Sequence, residues 1–497
     1  MIKVNRFKSI IRARKYCAGI LAIILAVISM LANGHIYAEK YKPTWESLDK
    51  RPIPQWFLDA KFGIFIHWGV YSVPAWRKVN KGLYASYAEW YYARVMENKE
   101  NGGAKFHQEN YGKNFEYRDF APLFKAQLFN PDYWAELFAR SGARYVVLTS
   151  KHHDGYCLWP TKSPYKKKWN SMDIGPKKDI VGELTRAVRK KGLKMGLYYS
   201  IIEWESIPTR RTKTGYFINK KYVEKYRIPE NEYIDKHLIP QLKELVLNYQ
   251  PAVIFADGGE WDRSSDEWKV KEFLAWLYNR APNKDEVVVN DRWGNETPGK
   301  HGNYYSSEYE DTNAVGVFHP WEESRGVGGS YGFNRDENID DYSTSEKLVH
   351  QLIDIVSRGG NLLLNVGPTA DGRIPVIMQQ RLVDIGEWLK INGEAIYGTR
   401  PRGRKGQTNK KNLYYTIKGS NLYVICTSWP EQPLVIEGVQ PSAETKVTML
   451  GLSNRKHKKI NWSSKNSNVV IEPPLITPGQ VPCQYAYVFK VTGVKIL

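Results

Sequence analysis

Residues 251–261 read PAVIFADGGEW. Val253, Ile254 and Phe255 are β-branched or aromatic, the composition of a short buried strand. The run ends in a carboxylate, Asp257, and turns at once through Gly258 and Gly259. A hydrophobic strand that delivers an acid into a glycine turn is how an α/β barrel presents a reacting group at its C-terminal face. An aspartate that only caps the next turn would look the same over this stretch. The choice depends on the surroundings, beginning with a second acid, Glu308, near the end of the run NYYSSEYE.

Upstream and downstream the same alternation repeats. FGIFIHW, Phe62 to Trp68, reads as a strand that carries His67 at its end, and AEWYYARVM, from Ala88, holds Glu89 and Trp90. A helix opens at Asn130-Pro131 and stops at Gly142. The strand YVVLTS follows, Tyr145 to Ser150, running into Lys151-His152-His153-Asp154-Gly155. Helix 180–191, strand 194–200, helix 233–249 and the Asp257 strand come next. Helix 266–280 then precedes VVVNDR, Val287 to Arg292. Strands are also expected at 303–307, near Trp321 and at 361–366, with helices at 345–357 and 376–392. About eight strands, most separated by helices, imply a parallel α/β fold. Polar and aromatic residues gather at the strands' C-terminal ends and no Gly-rich dinucleotide loop is present. A (β/α)8 TIM-like barrel therefore fits better than a doubly wound sheet. After Gly398 the texture changes to short alternating β-runs around a hairpin signature at Lys418 to Asn421. The predicted organisation is a leader, 1–38, a barrel domain, 39–399, and a C-terminal β-sandwich domain, 400–497.

The strand ends and their loops supply His67, Glu89, Trp90, His152, His153, Tyr199, Asp257, Arg292, Glu308, Trp321 and Tyr331. A barrel would gather such a set in one pocket. Metal-assisted hydrolysis would use His152 and His153 as ligands. Adjacent strand residues point oppositely, however, and no HxH or HExxH spacing is present. Glycoside hydrolysis needs one carboxylate to attack or to activate water and one carboxylic acid to protonate the leaving oxygen. Aromatic faces for sugar C–H patches and His, Glu and Arg for hydroxyls complete that requirement.

Taken together, FGIFIHWGVYSVPAW, AEWYYARVM, TSKHHDGY, GLYYS, IFADG, NDRWG, and SEYE followed by WEESRGVGGSYGFN resemble the retaining α-L-fucosidases. The likeness runs in order from about residue 40 to 400. It implies an exo-acting enzyme that releases terminal L-fucose by double displacement, on a barrel with a C-terminal β-sandwich and without metal or other cofactor. It implies Asp257 as nucleophile and Glu308 as general acid/base, with Glu310 and Glu260 as rivals for the second role. It places His67, His152, His153 and Tyr199 around the fucose hydroxyls, Tyr198 replacing Tyr199 if the strand register slips by one. Glu89 and Trp90 match the family's EW pair, Arg292 its NDRWG arginine, and Tyr331 the aromatic under the fucose methyl group. A non-catalytic carbohydrate-binding protein would share the aromatics but not two acids at reacting distance. A barrel glycosidase of other specificity is the second alternative.

Lys3, Arg6, Lys8, Arg12, Arg14 and Lys15 precede an apolar run, Ala18 to Leu31, and Ile36-Tyr37-Ala38 offers a cleavage site, the pattern of a secretory signal peptide. The expectation is an exported protein, periplasmic or secreted, with no membrane segment once the leader is removed. The formal charge is +20. Its remaining basic clusters are small, at Lys166-Lys167-Lys168, Arg210-Arg211 and Lys456 to Lys459, and no nucleic-acid motif accompanies them. Export favours a fucosylated glycan or glycoconjugate, acidic or sulfated, over nucleic acid; a merely solvated surface is the plainer reading. Of the cysteines outside the leader, Cys157, Cys426 and Cys483, the last two both fall in the C-terminal region, where a pair is open to them. The oligomeric state is left open.

Overall fold

A computed structural model describes residues 40–80, 82, 84–96, 102–207, 217–309, 319–402, 412–452, 460–466 and 468–496. The expected leader, Glu310 and the basic clusters at Arg210-Arg211 and Lys456 to Lys459 lie outside these residues. Pro43 to Leu497 form one compact unit. No helix among the described residues is long and apolar enough to cross a membrane.

Eight strands form one all-parallel sheet. They are β1 (Phe62–Ile66), β2 (Tyr145–Lys151), β3 (Lys194–Ser200), β4 (Val253–Asp257), β5 (Val288–Val289), β6 (Tyr305–Glu308), β7 (Trp321–Gly326) and β8 (Asn361–Val366). Their order, β5-β4-β3-β2-β1-β8-β7-β6, is that of a barrel opened between β5 and β6. Helices 131–140, 180–190, 239–249, 270–280, 345–357 and 376–392 cover the outside. All strands but β6 are buried along nearly their whole length, as a sheet covered on both faces requires. The helix before β4 opens with a π-turn, Tyr233–Leu238, because Pro240 has no N–H to give to the α-helical ladder.

The seam between β5 and β6 is closed by side chains. Asn303 donates its N–H to Val289 O at 3.0 Å and accepts the Val289 N–H on Oδ1 at 3.0 Å. Asp291 Oδ1 accepts from Ser306 N at 3.0 Å and Ser306 Oγ at 2.7 Å. β5 is shorter than the expected 287–292 run because Asn290 takes over its ladder. Its amide exchanges two bonds with the backbone of Ala256, at 2.9 and 2.8 Å.

Alternate residues fill the interior. The register pairs Gly63 with Tyr145, Tyr198 with Phe255, and Ser200 with Asp257. The lower barrel is packed with Phe65, Tyr145, Val147, Tyr198, Val253, Phe255 and Tyr304, and helix 55–60 plugs its mouth with Phe57 and Ala60. Tyr145 donates to the buried Glu322, whose carboxyl burial pushes up to about 7. The C-terminal domain is two antiparallel sheets. One is ordered β12 (439–449)-β15 (487–496)-β10 (421–426)-β9 (413–418), the other β11 (434–436)-β14 (468–471)-β13 (462–465). Both contribute to one core, with Leu422, Val424 and Phe489 facing Ile436, Val469 and Ile471. Cys157, Cys426 and Cys483 are all free thiols, so the pair open to the last two is not formed. Cys426 is buried in the sandwich core, whereas Cys483 lies beside Asn392 at the end of the last barrel helix.

A Cβ on Gly63 would stand 2.4 Å from Tyr145 Cζ, inside a ring that Glu322 anchors. Gly63→Ala should therefore cost about 1–3 kcal/mol or more of stability, read as a melting temperature several degrees lower. Gly479→Ala, at an open surface position, should leave it unchanged.

Candidate active site

The strands' C-terminal ends enclose a cavity of about 780 Å³. Its floor is made by Phe65, His67, His152, Tyr198, Phe255 and Tyr331. Asp257 and Glu308 end β4 and β6, one on each side of the open seam, and Arg292 reaches between them from the end of the β5 segment. One guanidinium nitrogen, Nη1, donates to Asp257 Oδ1 at 3.1 Å and to Glu308 Oε2 at 3.3 Å. Arg292 Nε is held by Ser306 Oγ at 2.9 Å, and Ser306 is in turn held by Asp291. The residues that close the seam thus also aim the arginine.

Asp257 Oδ2 accepts from the Tyr198 hydroxyl at 2.7 Å and lies 3.4 Å from His153 Nε2. Glu308 Oε1 accepts from the Tyr87 hydroxyl at 2.7 Å. Burial raises the Glu308 carboxyl above the ordinary carboxylate range; the Arg292 charge opposes this and the Asp257 charge adds to it. Glu89 is buried against Gly332 N at 2.8 Å and Ser330 Oγ at 3.2 Å, and burial lifts it to about 7.

The histidines are neutral. Burial lowers His67 to about 4 and holds His152 and His153 well below the ordinary imidazole value, each further depressed by other cations or imidazoles nearby in the last two cases. Their proton positions follow from the network. The Asn365 amide nitrogen donates to Tyr331 O at 2.7 Å, so its Oδ1 accepts from His67 Nδ1 at 2.7 Å. Ser200 gives its proton to Ile202 O at 2.5 Å, so its oxygen accepts from His153 Nδ1 at 2.6 Å. Both histidines are left with a bare Nε2, an acceptor for a hydroxyl proton. His153 Nε2 and Asp257 Oδ2 are two acceptors facing each other; Asp257 Oδ2 is supplied by Tyr198, and His153 Nε2 is left for the single proton of a bound hydroxyl.

Among the described residues, no group of three or more His, Cys, Asp or Glu is arranged to hold a metal ion. The site is a neutral, hydroxyl-accepting floor beneath two carboxyls that share an arginine.

The sequence matches the family described as Alpha-L-fucosidase over residues 28–394, and the Alpha-L-fucosidase C-terminal domain over 406–492. The chain belongs to the α-L-fucosidase family. It is 41% identical to a tissue alpha-L-fucosidase of Homo sapiens across 92% of each chain. It is 39% identical to an alpha-L-fucosidase of Dictyostelium discoideum across 95% of this chain and 99% of that one. Among solved structures, a Thermotoga maritima alpha-fucosidase in complex with fucose superposes with a TM-score of 0.74 at 37% identity, covering 91% of this chain and all of that one.

Within this α-L-fucosidase fold, the structure brings His67, Glu89, Trp90, His152, His153, Asp257, Arg292, Glu308 and Tyr331 into one cavity. It corrects two expectations, one on the ground of strand parity and one on the ground of where a strand begins. Tyr199 pairs with Ala256 and faces the helical layer, donating to Gln241 Oε1 at 2.9 Å, while Tyr198 shares the inner face with Asp257. Trp321 begins β7 at the opposite end of the barrel. It is buried over Gly360 and beneath the Arg358 guanidinium. Tyr87, Phe217, Trp261, Asp291 and Glu260 also line the cavity. Tyr87 was one tyrosine among many in an aromatic-rich loop, and nothing in its spacing singled it out.

Tyr198→Phe removes a bond to a carboxylate. It should lower kcat/KM on an aryl α-L-fucoside by roughly 10–100-fold, the equivalent of about 1.5–3 kcal/mol. Tyr199→Phe should leave kcat/KM within a few-fold; the reverse ranking would mean that the parity assignment is wrong.

Proposed function

We propose that the chain is an exo-acting, retaining α-L-fucosidase that releases terminal L-fucose from glycans by double displacement. The observation that carries this reading is the shared Arg292 nitrogen. Oxygens held at 3.1 and 3.3 Å from one atom can be no further apart than the sum of those distances. That closeness of the two facing oxygens is compatible with the ~5–5.5 Å between carboxyl groups of a retaining pair, against the ~6.5–9.5 Å of an inverting one.

In the first step ionised Asp257 attacks the anomeric carbon, and the bond to the leaving oxygen breaks as Glu308 gives that oxygen its proton. Burial supports the protonated state of Glu308, and the Asp257 charge adds to it. In the second step Glu308, now ionised, takes a proton from water, and the water oxygen displaces Asp257 from the anomeric carbon. Two inversions retain configuration. Arg292 stabilises both charge states, since it faces Asp257 before attack and Glu308 after proton transfer. His67, His153 and Glu89 accept from or donate to the sugar hydroxyls, and Trp90 and Tyr331 offer aromatic faces to its C–H and methyl surface. The substrate is a fucosylated glycan or glycoconjugate, with acidic or sulfated members suited to the chain's positive charge. Export by the N-terminal leader belongs to the same proposal. It is supported by the leader's sequence pattern alone.

Hydrolysis of 4-nitrophenyl α-L-fucoside against a panel of other aryl glycosides tests the specificity. Asp257→Gly should lose several orders of magnitude with the fold intact, and azide should restore part of the turnover. Near-wild-type activity in that variant would remove the assignment.

Glu308→Ala should distinguish its substrates. A nitrophenolate leaves unaided and a sugar alkoxide does not. Cleavage of fucosylated oligosaccharides should therefore fall by about 10²–10⁴-fold more than formation of the fucosyl-enzyme from the aryl fucoside. Activity that needs protonated Glu308 is lost as pH rises through its raised pKa. That basic limb should flatten in the variant; an intact limb would assign the proton to another group.

A further inference from the structure

Glu260 has no part in the mechanism above, yet it stands in the same cavity. It follows Asp257 across the turn Gly258-Gly259. The turn is rigid: Gly258 has φ +76°, a Cβ on Gly259 would meet Arg292 O at 2.8 Å, and Gly259 O accepts from Trp268 Nε1 at 3.0 Å. Glu260 is half-exposed as a residue, but its Oε2 is out of reach of solvent and has no hydrogen-bond partner. A buried carboxyl oxygen left unpaired is costly, and a turn of the side chain toward the cavity that it lines would give that oxygen a partner on the ligand.

The depth of the cavity says which part of the ligand. His67, His152, Tyr198 and Tyr331 at the floor are buried, whereas Trp90, Phe217 and Trp261 beside Glu260 are half-exposed and Pro298 is open to solvent. In an exo-acting enzyme one sugar fills the floor and the bond to be broken points outward. The mouth then belongs to the leaving group. Trp261 marks the passage between the two, with its ring 4.9 Å from His153, 5.2 Å from Phe217 and 5.7 Å from Trp90.

Resting on the fucosidase reading above, we propose that Glu260 is a specificity-determining residue that hydrogen-bonds a hydroxyl of the sugar attached to fucose. Burial, followed by the Asp257 charge, pushes its carboxyl up to about 8. It is therefore a neutral donor at pH 7 that does not repel the ionised Asp257 beside it. The aromatic wall of Trp90, Phe217 and Trp261 supplies a surface for the ring of that second sugar, and Glu260 adds the polar contact that orients it.

The test compares kcat/KM of wild type, Glu260→Gln and Glu260→Ala on 4-nitrophenyl α-L-fucoside and on fucosyl disaccharides of several linkages. The nitrophenyl group has no hydroxyl to offer. Glu260→Ala should lose roughly tenfold more on the preferred disaccharide than on the aryl fucoside, with most of the difference in KM. Glu260→Gln, which keeps a neutral donor, should recover part of it. Equal losses on both substrates, azide rescue of Glu260→Ala on the aryl fucoside, or no loss on any disaccharide would overturn the assignment. Unchanged melting temperatures separate these outcomes from misfolding. A wild type inactive on every α-L-fucoside would overturn the enzymatic reading and this one with it; an active wild type with parallel losses would overturn this one alone.

Discussion

The arrangement turns on one nitrogen. Arg292 Nη1 is within hydrogen-bond distance of both Asp257 and Glu308, and without a cation between them two carboxyls this close would repel. The arginine is available there because the sheet is open between β5 and β6. Had β5 continued as a regular strand to residue 292, its backbone would have occupied the seam. Instead Asn290 satisfies the backbone of Ala256, and the chain leaves the ladder. Asp291 and Ser306 then stitch the gap and fix the guanidinium from behind. The interruption in the barrel and the pairing of the two acids are thus one structural feature.

Burial sets the charge of everything else. Glu308, Glu89 and Glu260 are all raised by burial before any partner is counted, and His67, His152 and His153 are all lowered by it. A cavity lined by so many titratable groups consequently presents few charges. Asp257 and Glu308 each receive a tyrosine hydroxyl, from Tyr198 and Tyr87, as well as the shared arginine. Neutral imidazoles with bare Nε2 atoms and neutral carboxyls give a floor matched to an uncharged polyol.

Much of this was legible in the sequence because strand ends are where such information concentrates. Asp257, Glu308, His67 and the His152-His153 pair each stand at the end of an expected strand, so the fold itself predicts their convergence. Side-chain parity was less secure. A strand written KMGLYYS offers two adjacent tyrosines, and nothing within it says which one faces inward. The answer is set by its neighbour, where Tyr198 pairs with Phe255 and so shares a face with Asp257. Trp321 failed for a related reason. The strand begins at this residue, so a tryptophan thought to be near the pocket starts at the far end of the barrel. Phe217 and Trp261 come from segments with no periodicity, and only the folded chain brings them together.

Glycine placement shows how narrowly the interior is fitted. Gly63 leaves the space that the Tyr145 ring fills, and Gly196 does the same for Val253 and Val147. Tyr145 in turn donates to one oxygen of Glu322, a buried carboxyl. That carboxyl is raised in the folded state, so it is protonated at a pH where an unfolded chain would have released the proton. Its contribution to stability therefore falls as pH rises from the ordinary carboxylate range toward about 7, the opposite of a salt-bridged acid. The same sign applies to Glu89 at the site, which burial also lifts to about 7. Acids held neutral by burial weaken the fold as the medium becomes more alkaline. The protonated Glu308 that the first chemical step needs is lost in the same direction of pH. The contribution of these two carboxyls to stability and the proton for catalysis are favoured in the same direction of pH, because one physical cause, the exclusion of water from carboxyls, underlies each, while the histidines that burial lowers contribute with the opposite sign.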